Sequence, residues 1–271
     1  MSGHSIPHFN NPSLVLNARF LPTAGTAKHV VVLLHAFPFS CAMWKRMADH
    51  VQTLRQDTAL LLVDFPGFGG STPRVKWDFS SFSLELRDVI ERHTRKSVTM
   101  AGLSMGGYAA LEFYHINSDL VRAIVLSNTR ADADSEKEQH DRASFAEDVL
   151  ARGPEVAIER LYANFVTPET ALEIAGDIRK WMLEANPTAM ASALNAMANR
   201  HDSRDMLPLV TVPSLVIASD RDRVMRTTVM RKMASELEDP TFVEIKGAAH
   251  LSAVEKSLEW ATVLSNFLDR V

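Results

Sequence analysis

The segment Gly102-x-Ser104-x-Gly106 constrains the fold of this chain more than any other stretch. Before it, residues 97–101 are short, largely apolar and followed by a glycine, which predicts a buried parallel strand. After it, apolar residues over 108–116 recur at helical spacing. A serine between such a strand and helix occupies a strained turn, and the glycines on either side leave room for it. We expect Ser104 to stand clear of the sheet at a helix N-terminus, where backbone N–H groups favour a developing negative charge.

Hydrophobic segments along the rest of the chain alternate between strand-like and helix-like patterns. Candidate strands cover residues 14–20, 30–34, 59–63, 121–126, 214–218 and 241–245, and candidate helices cover 43–54, 83–93 and 258–268. Strands that alternate with helices of about a dozen residues indicate βαβ units. The prediction is an α/β fold with a mostly parallel central sheet of seven or eight strands flanked by helices.

The alternation stops after Thr129. From about 131 to 204 the chain is charged, rich in alanine and methionine, and helical in pattern, with prolines marking breaks inside it. Three or four helices with no strand between them predict an inserted cap. We therefore divide the chain into a core domain, residues 1–130 and 205–271, and a helical cap, residues 131–204.

Composition argues against several other classes of protein. The 29 Lys and Arg against 33 Asp and Glu give a net charge of −4, both signs are interspersed, and no basic stripe marks a nucleic-acid partner. The longest apolar runs, such as 30–34, are too short to span a bilayer, and residues 1–13 lack the pattern of a signal peptide. A lone cysteine, Cys41, excludes an internal disulfide and suits the reducing cytoplasm. A homo-oligomer is compatible with the sequence, but nothing in it specifies one.

A serine nucleophile needs a base, and the base needs an acid that orients it. In an open parallel sheet these groups come from loops at the carboxyl ends of other strands. Asp220 and Asp222 follow the penultimate predicted strand, and His250 follows the last one. The order Ser104, Asp222, His250 suits such a site, with Asp222 preferred because Asp220 is better placed for a turn-capping hydrogen bond. Asn128, after the strand that leads into the cap, is not an acid, which weakens that alternative position.

Acyl transfer also requires two backbone N–H groups that bind an oxyanion. The residue after the nucleophile, Met105, is the first candidate, and Phe37, in the loop after the first central strand, is the second. Pro38 has no N–H to donate and constrains the loop beyond Phe37. The side chains of Phe37 and Met105 also fit ordinary core positions.

Five segments combine into one set of motifs. They are His35-Ala36-Phe37-Pro38, Asp64-x-Pro66-Gly67-x-Gly69-x-Ser71, Gly102-Leu103-Ser104-Met105-Gly106-Gly107, Asp222 and Gly247-x-x-His250. Together they span the chain from about residue 13 to its end and resemble the α/β-hydrolase superfamily, particularly lid-bearing bacterial esterases and lactonase-like members with a serine nucleophile. The resemblance implies the fold and the triad proposed above, with no metal or organic cofactor.

The chain departs from the pattern of that family at a few positions. Ala36 and Ser219 stand where a glycine is common, and residues 224–226 lack the proline often found after the acid. None of these changes removes a catalytic group. Ser104 argues against haloalkane dehalogenases and epoxide hydrolases, which use an aspartate nucleophile. Perhydrolases, C–C bond hydrolases, thioesterases and aminopeptidases of similar shape remain alternatives.

The predicted cap carries several methionines that bear on the substrate pocket. Met190 and Met197 share a helix face, and Met182 lies one predicted helix earlier. The simplest interpretation is that they pack on the core. If part of that face roofs the site instead, with Phe37 and Trp44 below, the pocket is apolar and suits uncharged acyl groups. His35 is a further candidate for the lining of this pocket.

These observations predict a serine hydrolase that cleaves a small, mainly apolar ester, lactone or thioester through an acyl-enzyme. The alternative is a ligand-sensing or regulatory protein on the same scaffold, with slow or single-turnover hydrolysis. A complete set of catalytic residues favours the enzyme, although sensors of this shape can retain it.

Overall fold

The computed structural model describes residues 15–23 and 25–271. The first predicted strand begins at residue 14, and the expectations for residues 1–13 lie wholly outside the described residues.

A single sheet of seven strands forms the centre of the described chain. The strands are β1 (Ala18–Leu21), β2 (His29–Leu34), β3 (Thr58–Val63), β4 (Val98–Leu103), β5 (Val121–Ser127), β6 (Ser214–Ser219) and β7 (Pro240–Ile245). Their order is β1-β3-β2-β4-β5-β6-β7, and every neighbouring pair is parallel except β1 with β3. The predicted α/β fold with a mostly parallel sheet is therefore confirmed. The continuous apolar runs of β2, β3, β4 and β6 are buried along their whole length, as strands covered on both faces must be.

Helices cover both faces of this sheet. In the described residues they are α1 (Lys45–Leu54), α2 (Phe79–His93), α3 (Met105–Asn117), α4 (Glu136–Arg152), α5 (Glu155–Phe165), α6 (Leu172–Glu184), α7 (Pro187–Ala198), α8 (Thr227–Ser235), α9 (Ser252–Glu255) and α10 (Ser257–Leu268), with short 3-10 turns at Cys41–Trp44, Ser118–Leu120 and Arg204–Leu209. Helix α1 packs against α10, and α2 packs against α3. No helix within 15–23 or 25–271 has the length and apolar character needed to cross a membrane.

Helices α2 and α8 differ from the sequence-based expectation, and the short helix α9 was not predicted either. Helix α2 begins at Phe79, four residues before the predicted start, because the Asp78 carboxylate accepts the Ser81 N–H at 2.7 Å and caps the helix there. Helix α8 follows β6 and was not predicted. It is short and buries three residues of its own, Met230, Met233 and Ala234, which is too few to establish a helical period.

Helices α4 to α7 lie between β5 and β6, within the range predicted as a cap. A buried ionic cluster ties their two ends together: the Asp134 carboxylate accepts from Arg130 at 2.5 Å, from Arg200 at 2.6 Å and from Arg142. Burial alone would raise the pKa of Asp134, but the bonds and charges of Arg142 and Arg200 outweigh it and lower this pKa. Since Arg142 belongs to α4 and Arg200 follows α7, the cluster joins the first and last of these helices.

Three of the same helices each place an aromatic ring on a loop of the core. The pairs are Phe145 of α4 with Phe37, Phe165 of α5 with His250, and Trp181 of α6 with Phe39, with ring centroids 6.1, 5.6 and 6.3 Å apart. These loops follow β2 and β7 at the carboxyl edge of the sheet. The helices between β5 and β6 therefore contact the edge at which Ser104 stands.

Candidate active site

Ser104 occupies the tight turn between β4 and α3. Its backbone has φ 56° and ψ −114°, a conformation that a residue with a side chain rarely adopts, and its N–H donates to the Ser127 carbonyl at 2.9 Å. A Cβ on Gly102 would lie 2.0 Å from the Gly106 oxygen, and a Cβ on Gly106 would lie 2.0 Å from the Leu34 oxygen. The turn therefore forms only because both flanking residues are glycines.

His250 and Asp222 are in direct contact. The imidazole Nδ1 lies 2.8 Å from Asp222 Oδ2, and the two side chains are 2% and 0% exposed. Asp222 Oδ1 accepts the backbone N–H groups of Val224 at 2.7 Å and Met225 at 2.9 Å. Because a carboxylate cannot donate, His250 carries its proton on Nδ1 and leaves Nε2 as an acceptor.

The environment of Asp222 favours its charged form. Burial on its own would raise the pKa of this carboxyl. The charge of His250 and the hydrogen bonds from His250, the Met225 N–H and Asn128 outweigh burial and hold the pKa below its usual value. Asp222 is therefore a carboxylate that can orient His250 and stabilise its protonated form.

Asn128 supports Asp222 from the end of β5. Its amide Nδ2 donates to Asp222 Oδ2 at 2.8 Å and to Ser219 Oγ at 2.9 Å, while its Oδ1 accepts the Ser252 hydroxyl at 2.8 Å. The acceptor bond fixes the orientation of the amide. From the sequence, Asn128 was considered only as a position that lacks an acid. Its place directly after a buried strand was the available signal for a supporting role.

Asp220, the other carboxylate of this loop, lies at the surface. Its Oδ1 accepts the Gly247 N–H at 2.7 Å and so joins the loop after β6 to the loop that carries His250. The structure thus brings Asp222, and not Asp220, to the histidine.

Two backbone donors lie beside Ser104. Strands β2 and β4 pair in register up to Leu34 and Gly102, so the loops that carry Phe37 and Met105 leave the sheet side by side. Within residues 15–23 and 25–271, neither the Phe37 N–H nor the Met105 N–H donates to an acceptor of the protein. Over the same residues the Ser104 hydroxyl makes no hydrogen bond to His250, a bond that often tightens only when substrate is present.

The side chain of His35 fixes the loop that carries Phe37. Its Nδ1 donates to the Ala36 carbonyl at 2.9 Å, and its Nε2 accepts the Phe65 N–H at 3.0 Å. His35 is fully buried, and burial lowers its pKa despite the nearby Asp64 charge. His35 therefore supports the loop that carries Phe37, and its place in the pocket wall stays a prediction. The peptide bond between Phe37 and Pro38 is cis.

The other predicted pocket residues are also engaged in packing. Trp44 is fully buried against Trp260 of α10, with ring centroids 5.5 Å apart. Met182, Met190 and Met197 are buried, and the Met197 sulfur lies 3.5 Å from Arg142 of α4. Trp44 therefore packs against α10 and Met197 contacts α4, and the lining of the pocket by these residues and by Met182 and Met190 stays a prediction.

Aromatic side chains contact Phe37 and His250 at the carboxyl edge of the sheet. Phe165 stacks on His250 with an interplanar angle of 15°, and Phe145 and Phe68 meet the ring of Phe37 edge to face. Phe145 and Phe165 were not predicted from the sequence as residues of this site. They are large aromatic residues in a segment otherwise rich in charged residues and alanine, and this contrast could have indicated a role at the site.

Comparison with known proteins agrees with this geometry. The model of the alpha/beta hydrolase family matches residues 31–262. The chain is 22% identical over 232 residues to 3-oxoadipate enol-lactonase 1 of Acinetobacter baylyi, with 84% of each chain covered.

Among solved structures, the fold is similar to that of a thermophilic esterase from Thermogutta terrifontis, with a TM-score of 0.89, 28% identity, and coverage of 94% of this chain and 93% of the other. It is also similar to the enol-lactonase from Burkholderia xenovorans LB400, with a TM-score of 0.83, 22% identity, and coverage of 94% and 96%. Since the family model spans most of the sequence, this chain belongs to the alpha/beta hydrolase family and is a hydrolase.

Proposed function

We propose that this hydrolase cleaves a small, mainly apolar ester, lactone or thioester by a serine mechanism. The observation that carries the proposal is the 2.8 Å contact between His250 and Asp222, almost inaccessible to solvent, on loops at the sheet edge from which Ser104 rises. A buried carboxylate that orients a histidine is what a serine nucleophile requires.

The proposal assigns one group of the protein to each step of the reaction. Ser104 Oγ attacks the carbonyl carbon and gives its proton to Nε2 of His250, while Asp222 stabilises the imidazolium. The uncommitted N–H groups of Phe37 and Met105 bind the oxyanion. His250 then protonates the leaving alcohol or thiol, and the acyl group stays on Ser104. His250 then takes a proton from water as the water oxygen attacks the acyl carbon, and returns it to Ser104 Oγ as the acid leaves, so the reaction needs no cofactor.

The aromatic rings around the site support an apolar acyl group. We propose that residues 131–204 form a cap that supplies Phe145 and Phe165 to this surface and limits the access of water. An esterase and enol-lactonases among the similar proteins support ester or lactone bonds as substrates.

A fluorophosphonate probe tests the nucleophile. It should label the protein once, and Ser104→Ala should abolish labelling, because phosphonylation resembles the tetrahedral species that the oxyanion donors stabilise. Ser118→Ala, which changes an exposed serine just beyond α3, should label normally. Labelling of the Ser104→Ala protein would contradict the assignment.

Turnover on a panel of esters, lactones and thioesters of increasing acyl length tests the activity. We expect repeated cycles at about 1–10³ s⁻¹ on a good substrate. A single burst equal to the protein concentration with every compound, followed by no further product, would instead support the ligand-sensing alternative.

A further inference from the structure

Glu255 is a largely buried carboxylate close to His250 for which the mechanism above has no use. It ends α9, five residues after the histidine. Its Oε2 accepts the backbone N–H of Ala249 at 2.7 Å, and its Oε1 accepts the hydroxyl of Thr170 at 2.6 Å. The first donor is the residue before His250, and the second lies between α5 and α6. One carboxylate therefore joins the histidine loop to the helices between β5 and β6.

Thr170 belongs to a segment that reaches His250 a second time. The Thr167 N–H donates to Thr170 Oγ1 at 2.8 Å, and the Thr170 N–H donates to the Thr167 carbonyl at 3.1 Å, which closes a compact turn. Phe165, just before this turn, stacks on the imidazole of His250 at 5.6 Å. Residues 165–170 thus contact the histidine itself and the carboxylate that holds its loop.

The presence of a largely buried carboxylate at position 255 needs a physical explanation. Burial raises the pKa of Glu255, although the hydrogen bonds from Thr170 and the Ala249 N–H oppose this effect. Desolvation therefore makes the charged form unfavourable here, and an apolar side chain would not incur that cost. An apolar side chain, however, has no acceptors, whereas the two oxygens of Glu255 bind the loop at Ala249 and the segment at Thr170 at the same time.

We propose that Glu255 is a positioning residue that couples segment 165–170 to His250. Through Ala249 it fixes the backbone on which the imidazole is mounted, and through Thr170 it holds Phe165 over the ring. The role in catalysis rests on the proposed function, since it requires His250 to be the base. A shift of about 1 Å in a catalytic group can lower a rate about 10²-fold, so this support is large enough to measure.

The two oxygens give variants with separable effects. Glu255→Ala removes both acceptors. Glu255→Gln keeps a carbonyl for the Ala249 N–H and turns its NH₂ toward Thr170, whose hydroxyl can accept a bond. Thr170→Val removes the hydroxyl that donates to Glu255 and leaves the Ala249 bond in place, and it also removes the acceptor of the Thr167 N–H. Glu259→Ala, which removes an exposed carboxylate from the next helix, is the matched control for loss of charge.

Steady-state kinetics on the best ester should rank these variants. We expect kcat to fall about 10²-fold in Glu255→Ala with KM changed by less than about twofold, because Glu255 does not touch the substrate. Glu255→Gln should recover kcat to within about threefold of the parent protein, and Glu259→Ala should match the parent. The rate of fluorophosphonate labelling should follow kcat across the series, since both reactions need His250.

A double-mutant cycle tests the coupling itself. Thr170→Val should lower kcat more in the parent protein than in the Glu255→Ala background, because the part of its effect that passes through Glu255 is already lost there. Independent effects in the two backgrounds, or an unchanged kcat in folded Glu255→Ala, would overturn the proposal. If Glu255→Ala does not fold, Thr170→Val and Glu255→Gln are compared in its place, and a normal kcat for Thr170→Val counts against the coupling.

Hydrogen exchange at the Ala249 amide separates this proposal from the proposed function. The amide should be protected in the parent protein and in Glu255→Gln, and should exchange faster in Glu255→Ala, whether or not any ester is hydrolysed. Absence of labelling at Ser104 in the parent protein would refute the serine mechanism. Unchanged exchange at Ala249 in Glu255→Ala would refute the positioning role.

Discussion

Asp222 accepts four hydrogen bonds, two on each oxygen, and His250 supplies one of them. The other three hold the carboxylate in place, and the bonds from the Met225 N–H and Asn128 act together with His250 to keep it charged. At the scale of single residues, the ability of His250 to act as a base therefore depends on residues outside the reacting groups. Asn128, which donates to Asp222, is one of them.

Asp222→Asn and Asp220→Asn should separate the two acids of this loop. An amide at 222 would favour the wrong tautomer of His250, and kcat should fall by as much as about 10⁴-fold with the fold intact. Asp220→Asn alters a surface bond to Gly247 and should cost far less. The measurement is kcat at neutral pH with a thermal melt for each variant, and the reverse ranking would contradict the assignment of Asp222.

His35 should make the stability of the protein depend on pH. Burial lowers its pKa in the folded state, so below about pH 6.5 the unfolded chain binds the proton more readily. The contribution of neutral His35 to the free energy of unfolding is complete above about pH 6.5. It is lost as the pH falls toward the pKa that His35 has in the folded protein. Over this window the free energy of unfolding should decrease by up to about 1.4 kcal/mol per pH unit.

The control for this prediction is His35→Gln, which keeps one donor and one acceptor but does not titrate. Urea unfolding from pH 7.5 to 5 should show a smaller pH dependence in the variant than in the parent protein. His29, whose pKa is also lowered by burial, is present in both proteins and cancels from the comparison. Parallel curves would show that His35 does not contribute.

At the scale of elements, the ionic cluster around Asp134 decides how α4 and α7 are held. Asp134→Asn would leave Arg130, Arg142 and Arg200 without their shared carboxylate, and breaking such a buried pair costs about 3–5 kcal/mol. Asp141→Asn, which breaks an exposed pair with Lys137 on α4, should change stability by less than about 1 kcal/mol. Urea unfolding of both variants measures the difference, and equal losses would argue against the cluster as an anchor.

Sequence patterns predicted the elements whose signal is local. The strands β2 to β6 follow continuous apolar runs, and the turn at Ser104 follows from two glycines. The start of α2 depends on one capping bond from Asp78, and α8 buries too few residues to show a period. Hydrophobic periodicity reveals neither a capping bond nor so short a helix. The predicted start of α2 was therefore four residues too late, and α8 was not predicted.

At the scale of the whole molecule, the sheet order brings together loops that are far apart in the chain. Loops after β2, β4, β6 and β7 deliver Phe37, Ser104, Asp222 and His250 to one edge, and parallel strands make that predictable. The contacts of α4 to α7 with this edge were not predictable in the same way. They depend on how α4 to α7 pack on the loops of the core, as in the pairs Phe165–His250 and Thr170–Glu255. No short-range sequence pattern predicts such long-range contacts.

The positions of the four tryptophans allow their fluorescence to report movement of helix α6. Trp44, Trp77 and Trp260 are buried in the core, whereas Trp181 is half-buried on α6 against Phe39. A ligand that shifts α6 should therefore change the emission of Trp181 while the other three keep their native spectrum, and Trp181→Phe should abolish the change. Unfolding in urea should instead shift the emission of both proteins to longer wavelength. Fluorescence can thus distinguish movement of one helix from loss of the fold within a single unlabelled sample.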